Sequence, residues 1–462
     1  MYFEQFYLGC LAHASYMFGS DGEAVVVDPQ RDVDIYLEAA EKHGLQIKHI
    51  FETHLHADFV SGHKELAART GATIYIGKAA EATFPHVPLT DGYELRVGQI
   101  KIKALETPGH TPESCCFVIT DEEKSPAPWA VLTGDTLFIG DVGRPDLSKT
   151  HTPPELAGLM YDSLHNKLMT LPNEALVYPA HGAGSLCGRN MRAERSSTIG
   201  TERLTNYALQ IKSRDEFVRQ MTSNLPARPD YFLEDAAINR TGATPMTELP
   251  ELMAVAPAVL KSMLDRGAIA LDVRPTEQFA AGHVAGSVNI ALSGQFASWA
   301  GAVLGLSAQP VLIAETADQI SEARVRLARV GIEDLAGYLD GGIDAWKRAG
   351  FEMAETPQMT VQELKARLGD RNLEVLDVRR QGEWEAGHIE EADWYPLDRF
   401  KAALPTLNSH ATIAVHCKSG YRSMIAASLL QRAGHDVINV IGGFDEWEKE
   451  KLPVALGAAV GA

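Results

Sequence analysis

The chain has 462 residues, which at roughly 150 residues per domain suggests about three domains, each large enough to bury its own core. Asp and Glu outnumber Lys and Arg by 61 to 42, for a formal net charge of −19, and this excludes wholesale nucleic-acid binding, which needs a basic footprint. No apolar run approaches the ~20 residues of a membrane span, and five cysteines (Cys10, Cys115, Cys116, Cys187, Cys417) without a CxxC pair argue against a disulfide framework. The first seven residues carry an acid and aromatics instead of the basic start of a secretory signal, so the expected setting is cytoplasmic, with no membrane and no nucleic-acid partner.

In residues 1–245 short apolar runs end in loops. Glu23-Ala24-Val25-Val26-Val27-Asp28, Ile47-Lys48-His49-Ile50-Phe51, Thr73-Ile74-Tyr75-Ile76 and Trp129-Ala130-Val131-Leu132 read as strands. Thr53-His54-Leu55-His56-Ala57-Asp58 follows one of them, and Pro108-Gly109-His110-Thr111, Thr133-Gly134-Asp135 and Tyr178-Pro179-Ala180-His181-Gly182 come later. Imidazoles and carboxylates on loops from separate strands can converge on one borderline first-row metal ion. His54, His56, Asp58, His110, Asp135 and His181 are the candidate ligands. Cys115 and Cys116 lie within an apolar run and read as core.

These four pieces, in this order, resemble the metallo-β-lactamase superfamily, which implies an αββα sandwich. Its two-metal hydrolases read HxHxDH, and this chain has Phe59 at the last position. Phenylalanine ligates nothing, so a second ion loses a ligand. His63, one helical turn on, reads as a surface or packing residue. Two imidazoles and one carboxylate with open positions suit non-haem Fe(II) oxygen chemistry. Here the resemblance narrows to persulfide dioxygenases, carried also by Gly109-His110-Thr111-Pro112, Gly134-Asp135-Thr136-Leu137 and Gly143-Arg144-Pro145-Asp146. It implies iron ligands at His54, His110 and Asp135, one Fe(II) in the N-terminal domain with zinc as the alternative. His56, Asp58 and His181 then orient ligands or water, or remain from a lost second site. Many stand-alone family members keep HxHxDH, so Phe59 is a departure. Arg144 either binds a thiol substrate's carboxylate or pairs with Asp141 or Asp146. Arg189 either faces substrate or caps the next helix. Cys187 either meets the sulfur substrate or packs as a buried thiol.

From about 224 to 257 the chain is rich in Pro and Ala with little periodicity and reads as a linker, as does 355–360. The C-terminal half then repeats itself. Leu271-Asp272-Val273-Arg274 and Ala281-Gly282-His283 return 105 residues later as Leu376-Asp377-Val378-Arg379 and Ala386-Gly387-His388. Gly341-Gly342-Ile343-Asp344-Ala345-Trp346 returns after 101 as Gly442-Gly443-Phe444-Asp445-Glu446-Trp447. In each copy short apolar runs alternate with helical patterns, which implies parallel α/β sheets. The divisions are 1–245, 246–355 and 356–462.

In the last copy the run Thr412–Val415 ends in His416-Cys417-Lys418-Ser419-Gly420-Tyr421-Arg422-Ser423 ahead of an apolar helix pattern. A thiol in such a loop, next to a helix N-terminus and near Lys418 and Arg422, is placed to carry a thiolate or persulfide. Loop and flanking motifs resemble the rhodanese sulfurtransferases. That implies Cys417 as nucleophile, Arg422 as its cationic partner, Lys418, Ser419, Gly420, Tyr421 and Ser423 as the persulfide loop, and Asp377, Arg379 and His388 as scaffold. Aligning Gly331 with Gly434 puts Ala314 opposite Cys417 and Gln319 opposite Arg422, so the middle copy has neither nucleophile nor cation.

The whole chain thus resembles multidomain persulfide dioxygenase–rhodanese proteins. The resemblance implies oxidation of glutathione persulfide or another small-thiol persulfide by O2 to sulfite, with Cys417 moving sulfane sulfur between persulfide, sulfite and thiosulfate. A zinc thioester hydrolase of the glyoxalase II kind, or a sulfur carrier with a structural metal site, are the alternatives. Which thiol is used, and whether the chain forms a homo-oligomer, stay open at this level.

Overall fold

A computed structural model describes residues 1–223, 225, 227–400, 407 and 411–457. The chain divides into two compact units, residues 1–249 with 328–331 and residues 250–327 with 332–462.

In the first unit β1 (Tyr2–Leu8), β2 (His13–Ser20), β3 (Glu23–Val27), β4 (Gln46–Glu52), β5 (Thr73–Gly77) and β6 (Val87–Leu89) form one sheet in that order. A second sheet holds β7 (Glu94–Val97), β8 (Ile100–Glu106), β9 (Cys115–Asp121), β10 (Ala130–Gly134), β11 (Leu176–Pro179) and β12 (Ser197–Thr198), also in chain order across the sheet. The two-residue period of a strand sorts the side chains. Val25 and Val27 join Tyr16, Phe18, Phe117 and Ile119 between the sheets, whereas Ala24 and Val26 pack outward with Tyr36 and Leu66 of the helices Asp34–Lys42 and His63–Thr70. On the other side Cys116, Val118 and Val131 meet Ala157, Met160 and Leu164 of the helix Pro153–Asn166. Continuous apolar runs such as Ala24–Val27 are thus covered on both faces, and the layers are helix, sheet, sheet, helix, the αββα sandwich expected. Cys115 faces the core between the sheets and Cys116 the outer layer, so both are core residues.

The linker expected around residues 224 to 257 is wrong in its middle. Phe232–Thr241 is a helix in which Phe232, Asp235 and Asn239 are buried.

The second unit contains two five-stranded sheets in which every neighbouring pair is parallel. The strands in chain order are β13 (Ala254–Val255), β14 (Ala270–Asp272), β15 (His283–Val284), β16 (Val288–Asn289), β17 (Val311–Ile313), β18 (Gly337–Leu339), β19 (Met353–Ala354), β20 (Gln358–Met359), β21 (Leu373–Asp377), β22 (Ala392–Trp394), β23 (Thr412–His416) and β24 (Val437–Val440). Their orders, β13-β18-β17-β14-β16 and β20-β24-β23-β21-β22, are one topology twice, and β15 pairs with β19 as a separate two-stranded antiparallel ribbon. The sequence repeat is therefore a fold repeat. Each copy is fastened at the same place: the Arg274 guanidinium grips Asp272 and donates to the Gly282 carbonyl, and Arg379 does the same to Asp377 and Gly387. Asp272 pairs in register with Ile313 and Asp377 with His416, so Ala314 occupies in the middle copy the place that Cys417 occupies in the last.

Candidate metal centre and cysteine loop

The strands of the sandwich deliver their terminal residues to one place. His54, His56 and Asp58 follow β4, His110 lies between β8 and β9, Asp135 follows β10 and His181 follows β11. All six are buried, at 5% exposure or less.

His54, His110 and Asp135 bring one ligand atom each into a common cluster. His110 Nε2 stands 3.3 Å and His54 Nε2 4.0 Å from Asp135 Oδ2, and neither nitrogen has a hydrogen-bond partner. Atoms ligating one ion at about 2.1 Å stand about 3 to 3.5 Å apart; His110 and Asp135 already meet that spacing and His54 needs to close in by about half an ångström, so the triad can take a single metal ion of the borderline class, iron or zinc. The orphaned Nε2 atoms need such an occupant, because a buried polar nitrogen without a partner is costly. The other ring nitrogens are fixed: His110 Nδ1 lies 2.9 Å from the Arg144 carbonyl, and His54 Nδ1 2.9 Å from Thr53 Oγ1, which itself donates to Asp28. Burial lowers the His54 pKa well below its ordinary value, with His56 adding to it, and burial lowers that of His110. Both are held as the neutral imidazoles that bind metal. Burial opposes ionisation of Asp135, but His181 and His110 outweigh it and hold the carboxyl well below the usual carboxylate range.

The other three candidates face different partners. His181 spans two carboxylates, with Nδ1 2.7 Å from Asp135 and Nε2 3.0 Å from Asp58. Against burial, Asp135 and Asp58 raise its pKa well above the ordinary value. His56 turns away from the triad onto Asp28 at 3.1 Å and Glu52 at 3.4 Å. Burial again works against its charge, and the two carboxylates push its pKa up to about 10. Held between these two carboxylates, His56 ties the ligand loop to β4 and to the end of β3. Phe59 is fully buried, its ring 4.4 Å from that of His56.

Of the candidate substrate contacts, Cys187 joins Asp58 and His181 in a second cluster of potential ligand atoms. Burial raises its thiol pKa well above the ordinary value. The Arg144 fork closes on the Asp146 carboxylate at 2.6 and 2.8 Å, the loop-stiffening alternative. Arg189 donates to the carbonyls of Gln220 and Met221 in the last turn of the helix Arg214–Thr222, so it caps the end of that helix and not the next one, Ile199–Thr205. His63 is a packing residue, buried 3.2 Å from Glu52 and against Phe84.

Several supporting residues escaped the sequence reading. Asp28 and Glu52 hold the His56 and Thr53 side, and their signal was available, since each ends an apolar run as Asp135 does. Asn239 clamps the ligand loop from the helix Phe232–Thr241, donating to the carbonyls of His56 and Phe59 and accepting from the Ser61 amide. His13, at the start of β2, is fully buried with its ring 4.1 Å from Phe59 and has no partner at either nitrogen. Nothing in its sequence context marked it.

In the last domain β23 ends at His416 and the helix Tyr421–Arg432 begins four residues after Cys417. The Gly420 amide donates to Cys417 Sγ at 3.1 Å, and Sγ lies 3.6 Å from Ser423 Oγ. Lys418 and Ser419 are exposed. The loop is held from behind by the amides of Phe444 and Asp445, which donate to the carbonyls of Cys417 and Lys418. A side chain at Gly443, where φ is +56°, would collide with the Cys417 carbonyl, and one at Gly342 would meet that of Ala314. The paired glycines let the backbone close on the loop in both copies. Arg422 points at Glu383, at 2.6 and 2.8 Å, and this guanidinium holds the Glu383 carboxyl, despite burial, down to about 2. In this structure Arg422 therefore joins the loop's helix to the helix Gln381–Ala386.

A buried histidine–carboxylate cluster able to hold a metal ion at the edge of an αββα sandwich, followed by a pair of parallel α/β domains of which one carries a cysteine loop, defines the class: a metallo-β-lactamase-fold protein fused to rhodanese-type domains. The metallo-beta-lactamase superfamily matches residues 8–181, and the rhodanese-like domain matches twice, at 256–349 and 360–450. The human mitochondrial persulfide dioxygenase ETHE1 is 30% identical over 210 residues, 44% of this chain and 73% of that protein. A hydroxyacylglutathione hydrolase of Rhodospirillum rubrum is 36% identical over 163 residues, 35% of this chain and 57% of that protein. Among solved structures, a metallo-beta-lactamase from Staphylococcus aureus subsp. aureus COL superposes with a TM-score of 0.66 at 33% identity, covering 73% of this chain and 98% of that one. The chain belongs to the persulfide dioxygenase family of the metallo-beta-lactamase superfamily, extended by two rhodanese-like domains. No helix among the described residues is long and apolar enough to cross a membrane.

Proposed function

We propose that residues 1–245 are a mononuclear iron persulfide dioxygenase, that residues 356–462 are a sulfurtransferase working through Cys417, and that residues 246–355 are a rhodanese-like domain without a nucleophile. The observation that carries the first part is the buried triad of His54, His110 and Asp135, with two unpartnered Nε2 atoms facing one carboxylate oxygen. Fe(II), when bound there, supplies the O2 chemistry that oxidises sulfur, and since affinity order alone does not select iron, zinc is the competing ion. The chain's own groups hold the site in shape. Thr53 and the Arg144 carbonyl fix the two imidazoles, His181 orients Asp135, and fully buried Phe59, at the last position of the HxHxDH pattern, offers no ligand to a second ion. Overall a thiol persulfide, O2 and water give the thiol, sulfite and two protons.

Cys417 then exchanges sulfane sulfur. The Gly420 amide at 3.1 Å supports negative charge on Sγ. A Cys417 persulfide passing its outer sulfur to sulfite gives thiosulfate and regenerates the thiolate: one S–S bond breaks, one forms, and no external oxidant is needed. Glutathione persulfide or another small-thiol persulfide, O2, sulfite and thiosulfate are the proposed reactants.

The test is oxygen consumption by anaerobically Fe(II)-loaded protein on adding glutathione persulfide, with sulfite and thiosulfate quantified in the same sample. Uptake with sulfite formation is expected, lost in His110→Ala and after chelation, and retained in Cys417→Ser. Sulfur transfer from thiosulfate to cyanide should survive chelation and vanish in Cys417→Ser. No uptake with any small-thiol persulfide overturns the iron reading and favours zinc-dependent thioester hydrolysis.

A further inference from the structure

The first compact unit is not one stretch of chain, because residues 328–331, which fall within the rhodanese-like match at 256–349, belong to it. This short segment closes the helix Ala317–Ala328 and is centred on Arg329. The Arg329 guanidinium grips Asp32 as a fork, with Nε 2.7 Å from Oδ1 and Nη2 2.8 Å from Oδ2, and its third nitrogen lies 3.8 Å from Cys10 Sγ. With side-chain exposures of 12% and 26%, Arg329 and Asp32 are largely shielded from water, so their pairing is screened less than that of surface ions. The main chain of Arg329 is used as well. The amide of fully buried Val60 donates to the Arg329 carbonyl at 2.7 Å. A buried amide needs an acceptor, and this one finds it outside residues 1–249.

The two grips lead to two different members of the metal triad. Asp32 lies at the end of the loop that begins with Asp28, and Asp28 accepts from Thr53, whose Oγ1 fixes Nδ1 of His54. Val60 stands two residues after Asp58, which holds His181 at 3.0 Å, and His181 in turn holds Asp135 at 2.7 Å. The two loops are closed on each other: the Gly62 amide donates to the Pro29 carbonyl, and a Cβ at Gly62 would collide with the Gln30 carbonyl and with Val33. Along the ligand loop the holding groups alternate. Asn239 serves the Phe59 carbonyl and the Ser61 amide, and Arg329 serves the Val60 amide between them.

We propose that Arg329 is a positioning residue of the metal centre, so that a residue of the nucleophile-free repeat sets how firmly the triad holds its ion. The inference rests on the reading of His54, His110 and Asp135 as metal ligands, and it gives the middle repeat a task for which no cysteine is needed. Without the clasp, the loop from Asp28 to Asp32 and the arm from Asp58 to Val60 both loosen. His54 and Asp135 then lose part of their orientation, and an ion held by them leaves faster.

The experiment loads the full chain with Co(II), whose visible absorption reports its ligand geometry, and follows transfer of the ion to EDTA. Arg329→Ala and Asp32→Asn cut the same clasp from its two ends. Each should speed the transfer about tenfold or more and shift the visible bands of the bound ion, and Arg329→Lys, which keeps the charge but not the fork, should fall between Arg329→Ala and the unaltered chain. Sulfur transfer from thiosulfate to cyanide at Cys417, measured on the same samples, should stay within about twofold. Leu164→Ala, which opens the core under the helix Pro153–Asn166, is the control for a general loss of stability. Transfer to EDTA that stays within about twofold in both clasp variants overturns the proposal, whatever happens to the melting temperature, and so does an equal acceleration by Leu164→Ala. If His110→Ala binds Co(II) as tightly as the unaltered chain, the triad itself is misread and this inference falls with it.

Discussion

At the scale of single residues, Phe59 sets the difference between this centre and a two-metal one. His181 touches both Asp58 and Asp135, which keeps three potential ligands of a second ion together. Phe59 stands at the sequence position of the missing His, its phenyl ring fully buried against the rings of His13 and His56. Phe59→His returns an imidazole to that position. The expected outcome is a rise from about one to about two metal equivalents per chain by elemental analysis, at a stability cost of at most about 3 kcal/mol for the lost packing. A metal content that stays at one would show that Asp58 and His181 are not remnants of a second site. Glu383 allows a second prediction at this scale. Its pairing with Arg422 lowers its pKa to about 2 from an ordinary 4.5. A carboxylate depressed in the folded state stabilises it fully above the unfolded value and loses that contribution as pH falls through the folded one. The melting temperature of the last domain should therefore fall between about pH 4.5 and 2, and Glu383→Gln should flatten that part of the profile while lowering the plateau above it.

Elements differ in how much of them their sequences reveal. The strands that carry site residues were legible because each is a mainly apolar run of five to seven residues with a His or Asp at its end or within two residues beyond it, and β4, β10 and β23 lie where those runs lie. The tandem domains were legible for another reason: the Asp–Arg clasp and the paired glycines recur in both, because each copy must make the same turn at the same strand end. The helix Phe232–Thr241 was not legible. Its inward face carries Phe232, Asp235 and Asn239, and a face that hydrogen-bonds a neighbouring loop has no apolar period to find. For the same reason the orientations of Arg144 and Arg189 were beyond sequence, since each had two partners in reach and only geometry selects one. The function of that unseen helix is testable. Asn239→Ala leaves the carbonyls of His56 and Phe59 and the amide of Ser61 buried without partners. The cost should be on the order of 2 to 4 kcal/mol, with metal affinity reduced about 10- to 100-fold as the ligand loop loosens. Thermal unfolding and metal retained after dialysis measure the two effects. An unaltered metal affinity alongside the loss in stability would make Asn239 a packing residue only.

For the whole molecule, the reading proposed here places a producer of sulfite and a consumer of sulfite on one chain of 462 residues. Covalent attachment gives such a pair an effective concentration on the order of millimolar, whereas separate chains meet at their bulk concentration. That difference predicts a product ratio. At about 1 µM protein with glutathione persulfide and O2, the intact chain should release mostly thiosulfate. An equimolar mixture of His110→Ala and Cys417→Ser chains has both chemistries, each on a different molecule, and should consume oxygen at the rate set by its Cys417→Ser half while releasing mostly sulfite. Raising the mixture toward millimolar concentration should bring its product ratio to that of the intact chain. If the dilute mixture already yields thiosulfate as efficiently as the intact chain, sulfite equilibrates with solvent before Cys417 meets it. The fusion would then serve some purpose other than containing sulfite, such as matched amounts of the two activities.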